Sequence, residues 1–255
     1  MKKIFGFLLN KVPRPLLIRL SVGIRPFMRW IYKGDRFTDP IDGKSYRKFL
    51  PYGYGKPREN VLSPGTLSLE RHRQMWLYLK NETSFFEKNY KVLHIAPEQE
   101  FLRRFKKMKN LNYISVDLFS PTVDIRADIL DLPFVENSFD IIICNHVLEH
   151  IPDDIKAMSE LYRVLKKNGF GIIQVPIKSS LEKTYEDFSM TEPKERQKHF
   201  GQYDHVRWYG MDFFDRLKSV GFSVEKNFYS QKFSPEEISR YALNVNEILP
   251  VVYKR

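Results

Sequence analysis

Apolar positions fall into two regimes along this chain. From Asn89 onward, short runs that are apolar at nearly every position alternate with stretches at helical spacing; before it, helical spacing and turn residues dominate. Lys91-Val-Leu-His-Ile95, Tyr113-Ile-Ser-Val-Asp117 and Asp140-Ile-Ile-Ile-Cys144 are continuous rather than alternating, the pattern of strands buried on both faces. The periodicity predicts strands over 90–95, 112–117, 139–144 and 170–175, a short strand near 123–127, and helices over 98–107 and 153–167. After a polar excursion from Lys178 to Arg207, a helix over 211–219, a strand over 222–229, a helix over 234–242 and a strand over 246–253 complete the set. Such alternation predicts an α/β fold with a doubly wound parallel sheet. Ligands of these sheets sit beyond the carboxyl ends of the strands, where strand order reverses. The positions just after Ile95, Val116, Ile143 and Val175 are therefore the ones to inspect.

Upstream, residues 37–73 read as a strand-and-turn unit whose apolar content is Tyr46, Phe49, Leu50 and Tyr52, with loops at Gly43, Gly53, Gly55, Pro57 and Ser63-Pro-Gly65. Leu69, Met75, Trp76 and Leu79 predict a helix over 68–82, and Arg71, His72 and Arg73 at its start read as an exposed charged turn. The expected organisation is a basic amphipathic segment over 1–36, a small lobe over 37–83 and the sheet domain over 84–255.

Composition adds bounds. At 255 residues, 42% hydrophobic and 15% aromatic, the chain can bury a sizeable core. Its single cysteine, Cys144, excludes an intramolecular disulfide framework, fits a reducing compartment and reads as core packing. No apolar run approaches the roughly 18 residues that span a bilayer, and no signal cleavage site is evident, so a cytoplasmic protein is expected. The net charge of +11 is uneven: nine basic residues stand against Asp35 alone in the first 36 positions, which hold eight of the excess charges. Ile4, Phe5, Phe7, Leu8, Leu9, Leu16, Leu17, Ile18, Leu20, Phe27, Met28, Trp30 and Ile31 lie between them, the mix expected of helices at a membrane surface. Two readings stay open: a peripheral anchor at the inner face of the membrane, or amphipathic helices that lid the sheet with solvated basic residues.

Asp117, 22 residues after Ile95, stands where a carboxylate can accept both ribose hydroxyls of an adenosine. The first strand, however, opens into Ala96-Pro-Glu-Gln-Glu100 rather than a glycine-rich loop. Pro97 removes a backbone donor, and Glu98 and Glu100 put negative charge where a pyrophosphate needs bare amides. S-adenosylmethionine has no phosphate and presents an ammonium and a sulfonium that Glu98 can attract, so it is favoured over NAD or ATP.

From Lys91 to Val175, and more loosely beyond, the chain resembles class I S-adenosylmethionine-dependent methyltransferases, of a type 11-like bacterial subgroup with a His-Ile-Ala-Pro-Glu first motif. Asp128-Ile-Leu-Asp-Leu-Pro-Phe134 and Asn137-Ser-Phe-Asp140 carry the likeness, with the Leu148-Glu-His150 turn after the fourth strand. The resemblance implies a Rossmann-like, seven-stranded sheet and S-adenosyl-L-methionine as cofactor. It places Asp117 on the ribose with Leu118 beside it, Asp128 on the adenine amino group with Ile129 next to it, Ala96 and Pro97 under the cofactor, and Asn145 and His146 at the methionine end. Where the family has acidic-x-Gly-x-Gly-x-Gly, this chain has His94, Ala96, Glu98 and Glu100, which makes His94 and Glu98 candidate cofactor contacts. The subgroup carries two C-x-x-C pairs resembling a zinc ribbon. Here their places are Asp39, Asp42, Ser63 and Thr66, a poor zinc set, so a metal-free lobe held by its aromatics is expected.

His146-Val-Leu-Glu-His150 matches the H-x-x-E-H pattern of some zinc peptidases, but it follows a buried strand and meets Pro152 at once, so it reads as a strand-to-loop turn. No metal site is expected; Glu149 is expected to cap the helix that starts near Asp153, with His150 packed under it. Candidate bases for methyl transfer are His146, His150, His199 and His205, of which His146, His150 and His205 are favoured. The leading function is methyl transfer to a small-molecule, lipid or glycan acceptor. An RNA methyltransferase is disfavoured because Asn145-His-Val-Leu lacks the Asn/Asp-Pro-Pro-aromatic arrangement that stacks a flipped base. A catalytically silent cofactor-binding scaffold is the third reading, motivated by the missing glycines and thiolates.

Overall fold

A computed structural model describes residues 14–53 and 57–255, with side chains from Gly23 onward. The apolar and basic residues read at positions 2–11 lie outside the described residues. The chain divides into two compact units: the described residues up to Tyr78 with Ser230–Glu247, and Leu79–Tyr229 with Ile248–Arg255.

In the first unit, α1 (Arg14–Ile31) precedes the antiparallel pair β1 (Lys33–Asp39) and β2 (Lys44–Tyr46), then the pair β3 (Leu50–Tyr52) and β4 (Arg58–Leu62); α2 (Glu70–Asn81) begins here. Phe37, Tyr46 and Phe49 form its apolar centre, with ring centroids 5.3 Å and 5.9 Å apart. Around it, the four positions compared above with a zinc ribbon take part in hydrogen-bonded turns. Asp39 accepts from Ile41 N, Thr66 Oγ1 and Ser68 Oγ, Asp42 accepts from Lys44 N and Tyr46 Oη, and Ser63 Oγ accepts from the amides of Gly65 and Thr66.

The charged turn at the start of α2 is not exposed. His72 and Arg73 are buried, and the Arg73 guanidinium donates to the carbonyls of Val61, Ser68, Tyr241 and Ala242 at 2.7–3.0 Å while standing over the Phe49 ring. Chain ends of β4 and of a short helix, Pro235–Tyr241, leave carbonyls without helical or ladder partners, and one guanidinium satisfies them together. That contact also explains why Pro235–Tyr241, which the sequence reading placed with the sheet domain, packs in the first unit.

The second unit holds a seven-stranded sheet. Its elements in order are β5 (Tyr90–Ile95), α3 (Gln99–Phe105), β6 (Leu111–Asp117), β7 (Ile125–Arg126), β8 (Phe139–Asn145), α4 (Asp154–Val164), β9 (Leu165–Gln174), β10 (Tyr185–Glu186), α5 (Pro193–Phe200), β11 (Arg207–Trp208), α6 (Phe213–Ser219), β12 (Ser223–Asn227) and β13 (Leu249–Tyr253). Strand order is β12-β13-β9-β8-β5-β6-β7, with β7 to β9 mutually parallel through β6, β5 and β8, and β13 antiparallel to both β9 and β12. This is the expected α/β, Rossmann-like seven-stranded architecture. The continuous runs are indeed buried on both faces: Val92, Leu93, Ile141, Ile142, Ile143 and Cys144 are all at most 1% exposed. Residues 165–167, read as the end of a helix, instead open β9, because fully buried Leu165 pairs with Phe139 and Ser138 N caps the Val164 carbonyl.

The β6 edge is pinned by Asp124, which accepts from the Ser115 amide and hydroxyl and pairs with Lys106 at 2.7 Å. Burial pushes the Asp124 carboxyl up, but Lys106 and Ser115 outweigh it and hold the group below its ordinary range. A carboxyl depressed on folding stabilises the fold above its unfolded pKa, about 3.9, and that contribution is lost as pH falls through the folded value. The Asp124→Asn variant should therefore lose less stability than wild type between about pH 5 and pH 2, measured as the urea midpoint against pH.

Candidate functional site

The chain leaves β5 for β6 on one side and returns to β8 on the other, so the crevice of this sheet opens over the carboxyl ends of β5 and β8. Both ends turn through non-glycine residues in the left-handed region, Ala96 at φ +45° and His146 at φ +54°. Each such residue costs roughly 1–2 kcal/mol. Ala96 N bonds Val116 O at 2.7 Å and His146 N bonds Gln174 O at 2.8 Å, which holds both turns against the neighbouring strands.

His94, fully buried in β5, sits with Phe101, Phe105 and Tyr113 around it; its Nδ1 lies 2.9 Å from Tyr113 Oη and its Nε2 3.0 Å from Glu98 Oε2. Asn145 Nδ2 donates to Glu98 Oε1 at 3.2 Å. Glu98 is thus aimed from two sides, across the two strands that border the crevice. His94 reaches the crevice only through this carboxylate. Burial, with the charges of Glu98 and Asp124, pushes the Tyr113 phenol well above its ordinary range, so it stays a neutral partner.

At the tip of β6, Asp117 Oδ1 accepts from Phe119 N at 2.7 Å and Ser120 N at 2.6 Å, while its second oxygen is taken by no described residue. Leu118 and Phe119 follow it, 48% and 83% exposed. Asp117 pairs in register with Arg126, two residues before Asp128, whose Oδ1 accepts from Leu130 N; Ile129 is buried beneath.

Beyond β8 a second cluster forms around Glu149. It is fully buried, and neither carboxylate oxygen accepts a hydrogen bond; His146 Nδ1 stands 3.2 Å from Oε1. Glu149 does not cap α4, as the sequence reading expected: Asp153 does, accepting from Lys156 N. The His150 and His205 rings meet edge to face with centroids 4.7 Å apart. His199, by contrast, lies on α5, outside this cluster. Burial pushes His205 down against the pull of Glu149, so its imidazole is neutral near pH 7. For Glu149, burial pushes the carboxyl up, but His146 and the charge of His150 outweigh it and hold the group ionised. Cys144, read as core packing, is buried, and burial with the Glu149 and Glu98 charges pushes its thiol far up.

Arg207 joins the 148–152 turn to the segment that carries His205. Its guanidinium is completely buried and donates to the carbonyls of Leu148, Ile151 and Pro152 and to Glu186, while Val206 N bonds the Glu149 carbonyl at 2.9 Å. Tyr209 and Arg216 close the same knot through Asp154, at 2.7 Å and 2.6 Å.

Residues 78–173 match the family model described as a methyltransferase domain. The match spans 96 of the 255 residues. An uncharacterised protein of Methanocaldococcus jannaschii is 33% identical over 105 residues, 40% of either chain, and a demethylmenaquinone methyltransferase of Staphylococcus carnosus is 34% identical over 67 residues, 26% of this chain and 24% of that one. The chain thus spans well under half the length of these curated relatives. Among solved structures, an S-adenosylmethionine-dependent methyltransferase of Mesorhizobium loti covers 70% of this chain and 96% of its own at 14% identity and a TM-score of 0.49. One from Archaeoglobus fulgidus covers 73% and 95% at 15% identity and a TM-score of 0.43.

S-adenosylmethionine is the cofactor that the donor set of this crevice suits. Two carboxylates, Glu98 and the free oxygen of Asp117, offer acceptors to a cation and to hydroxyls, and Glu98 and Glu100 put acidic side chains at the start of α3, where a phosphate would have to sit. Gln174, opposite Asn145 in register and 2% exposed, has neither amide atom bonded, an open polar group at the same strand ends. Sequence reading missed Gln174, although a polar residue closing the apolar run of β9 was its signal, and missed Glu149 as a member of the site.

Replacing Arg207 by Met removes the guanidinium donor from the Leu148, Ile151 and Pro152 carbonyls and takes the buried cationic partner from Glu186 and Asp154. The variant should lose about 3–5 kcal/mol of stability, read by urea unfolding.

Proposed function

We propose that this protein transfers a methyl group from S-adenosylmethionine to a small-molecule acceptor of lipid-soluble character. The observation that carries the reading is the Glu98 carboxylate held by His94 and Asn145 at the crevice between β5 and β8, with Asp117 open on the next strand. When bound, the cofactor supplies an electrophilic methyl on its sulfonium. In this reading Asp117 accepts the ribose hydroxyls, with Leu118 and Phe119 giving apolar surface to the base; Asp128 and Ile129 flank the adenine, and Ala96 and Pro97 underlie it. Glu98 balances the positive charge, and Asn145 orients Glu98. His146, whose buried Nε2 has no partner, is the nitrogen placed to take a proton from the acceptor, and His150 and His205 line the acceptor side. Relatives whose printed name is demethylmenaquinone methyltransferase support a small, apolar acceptor over a nucleic acid.

The N-terminal helix supports the same direction. On α1, Ile24, Phe27 and Trp30 are 50%, 60% and 75% exposed and the Phe27 and Trp30 rings stack, whereas Arg25 and Arg29 are half-buried and Arg29 pairs with Asp42. Apolar residues outward and arginines inward are the reverse of a solvated surface helix, and they suit a helix that rests in a lipid interface. Among the described residues no helix is long and apolar enough to cross a membrane.

Calorimetry on the full chain should give 1:1 binding of S-adenosylmethionine. Asp117→Ala should weaken it at least tenfold, and Glu98→Gln should narrow the preference for the cofactor over its uncharged-sulfur product, S-adenosylhomocysteine. Binding unchanged by Asp117→Ala would sink the assignment. With radiolabelled cofactor, label should pass into the solvent-extractable fraction of a bacterial lysate and not into RNA. In a separate test, wild type should float with anionic liposomes while Phe27→Glu/Trp30→Glu stays at the bottom of the gradient; equal flotation of both would remove α1 as the contact.

A further inference from the structure

We propose that Glu149, His150 and His205 form a binding site for one divalent first-row transition-metal ion, of which zinc is the probe of choice. Each offers one ligand atom, and the three atoms lie within 4.8 Å of one another. A tetrahedral ion with bonds of about 2.1 Å holds its ligands about 3.4 Å apart, a contraction that the partly exposed His150 can supply by rotating.

Three independent features point to an ion rather than to a packed polar core. Glu149 is completely buried with neither oxygen hydrogen-bonded, only His146 Nδ1 standing 3.2 Å from Oε1, and His205, 2% exposed, has an unbonded Nε2. Buried polar groups are almost always satisfied, and leaving two facing groups open carries a cost that an ion between them removes. Second, both histidines are already set in the tautomer a metal needs. His205 Nδ1 lies 3.1 Å from the Phe200 carbonyl and His150 Nδ1 lies 3.3 Å from the Asp204 carbonyl, with the Asp204 carboxylate 3.4 Å away. A ring that donates from Nδ1 presents a lone pair at Nε2, and such backing by a carbonyl or carboxylate is the usual outer shell of a ligating histidine. Third, the donor set is two imidazoles and one carboxylate, which suits zinc and its neighbours and leaves a coordination position open, whereas magnesium and calcium favour oxygen alone. The turn that carries Glu149 and His150 and the segment that carries His205 are fixed to each other by Val206 and Arg207, so the site is held before any ion arrives. His146 beside Glu149 lies outside the ligand set.

The inference does not depend on the methyl-transfer reading, because its readout is the metal alone. Full-length protein stripped with a chelator and dialysed should bind one equivalent of zinc with micromolar or tighter affinity, and cobalt should give the visible absorption of a four- or five-coordinate site. His150→Asn and His205→Asn should each weaken binding at least tenfold, and the rise in melting temperature on adding zinc should vanish in both. His205→Asn can still donate to Phe200, and His150 is partly exposed, so the apo variants should unfold at the wild-type midpoint. Absence of stoichiometric binding, or zinc binding that His150→Asn leaves unchanged, overturns the proposal.

Discussion

The buried guanidinium of Arg207 is the constraint on which the rest of the candidate site depends. A charge taken wholly out of water is tolerated only when its donors are matched, and here three carbonyls of the 148–152 turn, the Glu186 carboxylate and, at 3.8 Å, Asp154 do the matching. The carbonyls belong to a tight turn that uses few of its own hydrogen bonds, so the turn needs the guanidinium as much as the guanidinium needs the turn. Because His205 is two residues from Arg207 on the same extended segment, that mutual requirement brings it against a glutamate and a histidine more than fifty positions away in the chain. Positional accuracy at the site is thus a by-product of satisfying backbone.

The absence of glycine after β5 changes how the crevice is built rather than whether it exists. Glycine would turn the chain at no steric cost; Ala96 makes the turn at positive φ, held by the Val116 carbonyl. In exchange, the stretch carries a carboxylate where a glycine loop offers amides. Glu98 would be a poor neighbour for the start of a helix serving an anion, but it is oriented by His94 beneath it and by Asn145 across the strand. The direction of the trade is toward a cationic ligand. It also explains why His94 is an aromatic-packed strand residue: its work is on the carboxylate, one step removed from the crevice.

How much of this was legible in the sequence follows from what each residue does for the backbone. The central strands were readable because burial on both faces writes a continuous apolar run, and the tip of β6 because a run ending in an acid at that spacing has few other uses. Ranges were less legible: Lys166 and Lys167 look helical, yet Leu165 is drawn into the ladder by Phe139. The buried arginines were invisible, since Arg73 stands in the first turn of a helix and Arg207 in a loop-like stretch, and nothing local signals that distant carbonyls lack donors. Glu149 was misread for a related reason. An acid shortly before a helix is ordinarily a cap, and only the fold shows that Asp153 has taken that role and left Glu149 facing two histidines.

Two polar clusters in one chain then make an instructive contrast. In the first unit Asp39 receives a backbone amide and two hydroxyls, Asp42 an amide, a phenol and an arginine, and Ser63 two amides. Every oxygen there has a donor, and the cluster reads as closed: it ties turns together and asks for nothing further. Around Glu149 the count is the opposite, with two carboxylate oxygens and two imidazole nitrogens, Nε2 of His146 and of His205, buried without a hydrogen bond. Both clusters mix acids with neutral polar groups, and both are buried, so residue type and exposure do not separate them. Satisfaction does. Folding can complete a hydrogen-bonded knot from the chain's own groups, and where it has not, the unmet groups mark the place where something other than the chain must complete it.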